Sequence, residues 1–131
     1  MADTSGSVND GALAAVYSEI KGAIEQFGGK LFGKLGFFDT RVIEPVPFED
    51  VDDLLRIVPH GGGGTDFGVI FDYIAYGDLH ELPACIVIFT DGEAEYPPKA
   101  AALGIPVLWV IQNNKNTPPW GRVVRVISDA P

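Results

Sequence analysis

The sequence predicts an α/β domain: a mostly parallel, doubly wound sheet flanked by helices, with its first strand truncated. Three observations lead there. The runs "ACIVIFTDG" (84–92) and "IPVLWVI" (105–111) are continuously apolar up to their turns, the pattern of strands buried on both faces. Helix-periodic segments alternate with these short strands, as in sheets whose crossovers cover both faces. The 131 residues, 47% of them hydrophobic, suffice for one domain with a sizeable core.

From Gly11 to Phe27, Leu13, Val16, Tyr17, Ile20, Ile24 and Phe27 recur at helical spacing, with Asn9 and Asp10 as caps and Gly28-Gly29 as the stop. "KLFGKLGFFDTRVIEPVPF" then reads as two strands joined by a tight connection near Asp39. "FEDVDDLLRIVP" is a short amphipathic helix closed by Pro59, and "HGGGG" a flexible backbone segment. Asp66 to Tyr76 reads as a helix. After the buried strand at 84–90, "PPKAAALG" gives a short helix ending at Gly104. "WGRVVRVI" is the last strand, and Arg122 and Arg125 mark it as the more exposed one. The chain has no internal repeat, linker or low-complexity stretch.

Composition narrows the function. No apolar run approaches the roughly 20 residues that span a bilayer, so no membrane segment is expected. The N-terminus lacks a basic-then-apolar signal, which makes the cytoplasm the expected compartment. Eighteen acidic against nine basic residues give a net charge of −9. Nucleic acid, whose phosphates need clustered Lys and Arg, is therefore disfavoured as a partner. The single cysteine, Cys85, excludes an internal disulfide, and its apolar context predicts a buried structural thiol.

The front of the chain raises a difficulty. "DTSGS" (3–7) is the kind of loop that a strand feeds, yet only Met1 and Ala2 precede it. Central strands typically run about five or six residues. The chain accordingly reads as a fragment of something longer. The vacant slot, between the Lys30–Phe38 region and Ala84–Thr90, would orphan two rows of backbone groups. It is expected to close directly or to take a strand from a second copy, a route to a homo-oligomer.

In open α/β sheets, ligands bind beyond the carboxyl ends of the strands, where strand order reverses. Three segments converge on that edge: "DTSGS", "GGGGTDF" and "FTDG". They offer Asp3, Ser5, Ser7, Thr65 and Asp91, all hydroxyls and carboxylates. Such oxygen donors suit Mg²⁺, Mn²⁺ or Ca²⁺ and argue against zinc or copper. Ser, Thr and Asp also cap helices and fill loops, so "DTSGS" alone does not decide the matter.

"DTSGS", then "GGTD", then an apolar strand entering "TDG" resembles the von Willebrand factor type A domain with its metal-ion-dependent adhesion site. The resemblance covers essentially all of residues 1–131, in the family's order. The tail "YPPKAAALGIPVLWVIQNNKNTPPWGRVVRV" looks like a bacterial subgroup found at the C-terminus of metallopeptidase-like proteins. The resemblance implies Ser5, Ser7 and Thr65 as direct metal ligands. It implies that Asp3 and Asp91 act largely through bound water and by orienting the hydroxyls. A partner protein's carboxylate would then complete the ion's shell. It further implies association with AAA+ ATPases of the MoxR type.

Other residues draw ordinary readings. Asp66 favours a helix N-terminus, and Glu93 and Glu95 are loop surface. His60 and His80 are loop histidines, because "HELPA" lacks the second histidine of a zinc-protease motif. "GGGGTD" lacks the Gly-Lys-Ser/Thr ending of a phosphate-binding loop. Trp109 reads as core, and Trp120 as packed against the last strand. No nucleophile–base pair or cofactor signature is evident, so a binding domain is expected and not an enzyme. Two rivals stand beside it. A Mg²⁺-dependent phosphatase of the haloacid dehalogenase type would need an aspartate where Ser5 stands, and a structural interaction domain would leave the site empty.

Overall fold

The structure is a computed structural model and describes residues 1–6, 10–77, 81–112 and 116–126. Six strands form one sheet in the spatial order β3-β2-β1-β4-β5-β6. They are β1 (Ala2–Asp3), β2 (Gly33–Phe38), β3 (Val42–Phe48), β4 (Ile86–Thr90), β5 (Val107–Gln112) and β6 (Arg122–Val126). All neighbours run parallel except the β2–β3 hairpin, whose register shifts between Leu35 and Phe37. Strand order reverses between β1 and β4, which sets a crevice at their carboxyl ends.

Successive side chains of a strand face opposite sides, and this alternation builds two cores. Ile86 and Ile88 of β4 and Trp109 and Ile111 of β5 pack with Phe67, Ile70 and Phe71 on one face. On the other face Phe89 and Val110 pack with Val16, Ile24 and Leu54. These faces are covered by α3 (Gly68–Tyr76) on one side and by α1 (Asp10–Gln26) and α2 (Val51–Leu55) on the other. Helix α1 stops where Gly28 and Gly29 take positive φ, at 74° and 93°, and Gly29 N–H closes onto Ile24 C=O at 3.0 Å. Helix α2 starts on Asp50, whose carboxylate accepts from Asp53 N–H at 2.9 Å. Among the described residues, no helix is long and apolar enough to cross a membrane.

Several expectations need correction. The flanking strands do not close on each other directly, because β1 of the same chain enters the upper end of the slot beside β4. Ala2 pairs with Phe37 and with Phe89, and Asp3 pairs with Phe38. The register explains how two residues suffice: they meet the last residues of β2 and the end of β4, where the loop at 3–7 must emerge. The flanking backbone groups there are satisfied. Phe89 N–H donates to Met1 C=O at 2.9 Å, Thr4 N–H to Phe38 C=O at 2.9 Å, and the Met1 amine to Val87 C=O at 2.7 Å. Burial lowers the pKa of that amine to about 5.

Cys85 is exposed and not a buried thiol, since β4 begins one residue later and Cys85 sits at the sheet's lower rim. Helix α3 begins at Gly68, two residues after Asp66, because the Asp66 carboxylate turns the chain by accepting from Gly68 N–H at 2.8 Å. Helix α2 spans only five residues of the longer run expected. The segment after β4 forms a 3₁₀ turn, Lys99–Ala102, instead of an α-helix. Ser7, Asn9 and His80 lie outside the described residues.

Candidate metal centre at the carboxyl edge of the sheet

The three segments expected to meet at the sheet edge do meet, and backbone hydrogen bonds hold them. Strand β1 delivers Asp3, Thr4 and Ser5 in succession, with Asp3 1%, Thr4 7% and Ser5 3% exposed. Asp3 lies at the centre. Its Oδ1 accepts from Ser5 N–H at 2.8 Å, and its Oδ2 accepts from the Thr90 hydroxyl at 2.7 Å. The same Thr90 oxygen accepts from Gly92 N–H at 3.1 Å. Thr90 therefore couples the first strand to the turn that carries Asp91.

That turn depends on glycine. Gly92 takes φ 77°, a region that favours glycine, and a Cβ there would lie 2.7 Å from the Tyr96 hydroxyl. Asp91, half-buried, folds over its own turn: its Oδ1 accepts from Glu93 N–H at 3.1 Å.

The glycine-rich segment closes the third side. Gly6 N–H donates to Gly63 C=O at 3.0 Å, and the Thr4 hydroxyl donates to His60 C=O at 2.7 Å. At Gly61, with φ 142°, a Cβ would stand 1.9 Å from Thr4 Oγ1, so the approach of loop and strand requires glycine. Asp39, in the β2–β3 turn, fastens the segment from the other side. Its Oδ2 accepts from Gly63 N–H at 3.1 Å, its Oδ1 from Arg41 N–H at 3.0 Å, and its backbone carbonyl from Asp66 N–H at 2.9 Å. Thr65, half-buried, is thereby held between two anchored neighbours, Gly63 and Asp66. Burial by itself would raise the Asp39 carboxyl pKa. The Arg41, Gly63 and Thr40 N–H groups and the Arg41 charge outweigh it and hold the pKa below the ordinary value.

Asp3, Ser5, Thr65 and Asp91 thus lie on the segments gathered at one end of β1 and β4, while Ser7 falls outside the described residues. The sequence reading missed three residues. Thr4, Thr90 and Asp39 do not belong to the donor set, yet they carry the hydrogen bonds that assemble it. Their signals were present: Thr4 alternates with Asp3 and Ser5, Thr90 precedes "DG", and Asp39 sits in a turn. Asp66, Glu93 and Glu95 are exposed, and His60 is an exposed loop residue that contributes its carbonyl.

The electrostatics centre on Asp3. It is a carboxylate at 1% exposure whose partners here are neutral, an N–H and a hydroxyl. A buried charge is costly unless paired or coordinating a cation. Among the described residues, no group of three or more His, Cys, Asp or Glu could hold an ion. Any cation here would therefore depend on the hydroxyls, and hard cations accept such oxygen donors.

Residues 1–127 match a family model described as VWA-like domain (DUF2201). A comparison with curated proteins gives no match. The match spans nearly the whole chain, and the chain belongs to this family of VWA-like domains.

Proposed function

We propose that this VWA-like domain binds a divalent cation, Mg²⁺ or in its place Mn²⁺ or Ca²⁺, and uses it to bind a partner protein through a carboxylate. The observation that carries the reading is Asp3. It is a buried carboxylate whose partners among the described residues are neutral donors, beside Ser5 and near the segments that carry Thr65 and Asp91. Ser5, Ser7 and Thr65 would give the ion neutral oxygens, and Asp3 and Asp91 would orient them and hold bound water. Neutral direct ligands leave the ion electrophilic enough to take an anionic ligand from outside.

Asp3 is held at both oxygens and shielded from solvent, which suits a brace for neighbouring groups better than a nucleophile. The reading is accordingly of a binding domain and not an enzyme. The resemblance that first suggested the site makes a MoxR-type AAA+ ATPase a reasonable partner to try.

Thermal unfolding with Mg²⁺ or Mn²⁺ and with chelator tests the cation. A ligand that binds only the folded state raises stability by RT ln(1 + [L]/Kd), about 2.7 kcal/mol at a hundredfold excess over Kd. Metal should raise the melting temperature of the wild type and leave that of Asp91→Ala unchanged. Asp91 is the better choice for the variant, because Asp3 also holds the strand ends together. Equal melting curves in metal and chelator would overturn the reading.

A further inference from the structure

The turn that carries Asp91 is held from a second side, by residues outside the donor set. Gly92 N–H donates to Thr90 Oγ1 at 3.1 Å, and Gly92 C=O accepts from Asn116 Nδ2 at 3.0 Å. Gly92 is buried, and a Cβ on it would stand 2.7 Å from the Tyr96 hydroxyl and 3.1 Å from Asn116 Cβ. Asn116 is in turn engaged by the last strand. Arg125 Nη1 donates to the Asn116 carbonyl at 2.6 Å, and Arg125 Nη2 to Thr117 Oγ1 at 2.7 Å. A planar guanidinium that donates to two neighbouring residues fixes their orientation as well as their distance. The register of the sheet brings these parts together. Thr90 pairs with Ile111 of β5, and Ile111 pairs with Arg125 of β6. Residues paired across parallel strands face the same side, so Arg125 stands on the Thr90 side of the sheet, two strands or about 10 Å away. Burial raises the pKa of Tyr96, and the charges of Arg125 and Asp91 both act on its phenol, which sets both charges at one end of the sheet.

Building on the cation reading above, we propose that Arg125 is a positioning residue of that site, acting through Asn116 and the Gly92 carbonyl on the turn that carries Asp91. Asp91 Oδ1 accepts from Glu93 N–H, on the far side of Gly92, so the setting of Gly92 decides where that carboxylate stands. With its N–H held by Thr90 and its carbonyl by Asn116, Gly92 is kept at φ 77° from both ends. Groups that orient the ligands and bound water of an ion typically change its affinity about 10- to 100-fold when removed. Charge acts the other way. A fixed positive charge repels a divalent cation, so Coulomb repulsion alone would make Arg125 a hindrance to binding. Its contribution is therefore geometric, and it makes the outermost strand part of the site.

Titration with Mn²⁺, read by electron paramagnetic resonance of the free ion, tests this, with thermal unfolding in chelator as the control for stability. Arg125→Met and Asn116→Ala should each weaken Mn²⁺ binding about tenfold. Because the bonds of Arg125 are exposed, the melting temperature of Arg125→Met in chelator should stay close to that of wild type. The double variant should bind no more weakly than the weaker single one, because both residues act through one chain of contacts. The sign separates position from charge, since losing a positive charge alone would tighten binding. Arg122→Met, on the opposite side of β6, removes the same charge and should not weaken binding. Unchanged or tighter binding in Arg125→Met, whatever its melting temperature, or additive losses in the double variant, would overturn this proposal alone. A wild type that does not bind Mn²⁺ would overturn the cation reading, and the role of Arg125 with it.

Discussion

The Thr90 hydroxyl donates a buried 2.7 Å hydrogen bond to Asp3 Oδ2 across 87 positions of sequence. It joins the ends of the two strands between which the sheet reverses its order. Thr90 is fully buried, and its oxygen also accepts from Gly92 N–H at 3.1 Å. Thr90→Val keeps the shape and removes both bonds, leaving a carboxylate oxygen and an N–H without these partners. A buried group left unsatisfied costs on the order of 1–3 kcal/mol, more when charged. Denaturant unfolding should show a loss at or above that range, and a loss under about 0.5 kcal/mol, ordinary for a surface change, would contradict the role given to Thr90.

Gly61 supports a second prediction. At φ 142° its backbone is strained for any L side chain, and a Cβ would collide with Thr4 Oγ1. Gly61→Ala should destabilise the fold by more than about 1 kcal/mol. Gly64→Ala, whose Cβ would meet only Thr40 Cγ2 at 3.5 Å, should cost far less. Comparable losses in the two variants, measured by urea unfolding, would mean that the Thr4–Gly61 approach does not restrict the loop.

The Asp39 carboxyl gives a pH dependence. Its folded pKa lies below the ordinary 3.8, through the N–H groups of Arg41, Gly63 and Thr40 and the Arg41 charge acting against burial. A depressed acid pKa favours folding above the unfolded value, and that contribution is lost as pH falls through the folded value. Wild-type stability should therefore drop below about pH 4 more steeply than that of Asp39→Asn. The variant should in turn be less stable than wild type at neutral pH. Parallel stability curves for the two proteins across the acid range would remove Asp39 from the account.

Much of this arrangement was legible in the sequence, and the exceptions share a cause. Strands β4 and β5 could be read because both faces are buried, which makes every position apolar, and they pair in register from Ile86↔Val107 to Thr90↔Ile111. Trp109, fully buried, sat inside such a run. Strand β1 escaped because its length is set by its neighbours: placed between the ends of β2 and β4, two residues form a strand that no local pattern announces. Cys85 escaped because the apolar run begins before the strand does. At the site, the donor residues were visible as oxygen-bearing types in order. Thr4, Thr90 and Asp39 act through partners 24 to 87 positions away, and such contacts exist only once the chain is folded.

The last prediction concerns the partner. If Ser5, Ser7 and Thr65 bind the ion directly, a six-coordinate cation keeps three positions for water or an incoming ligand. A carboxylate replacing one water gains an interaction with the metal that a neutral side chain cannot match. The chain's net charge of −9 repels an acidic partner at long range, so bulk charge cannot steer the encounter. Recognition must then be short-range and gated by the metal. Pull-downs from lysate should recover a partner in Mg²⁺ and lose it in chelator, and Asp91→Ala should lose it in both. Adding salt separates this contact from ordinary surface attraction, which screening over a Debye length of about 8 Å weakens. An acidic-residue scan of the recovered protein should find one position whose neutralisation mimics chelation. A partner that binds the chelated protein and the Asp91→Ala variant as well as the metal-loaded wild type would overturn the metal-gated reading, and it would leave the end of β1 a structural brace between Asp3 and Thr90.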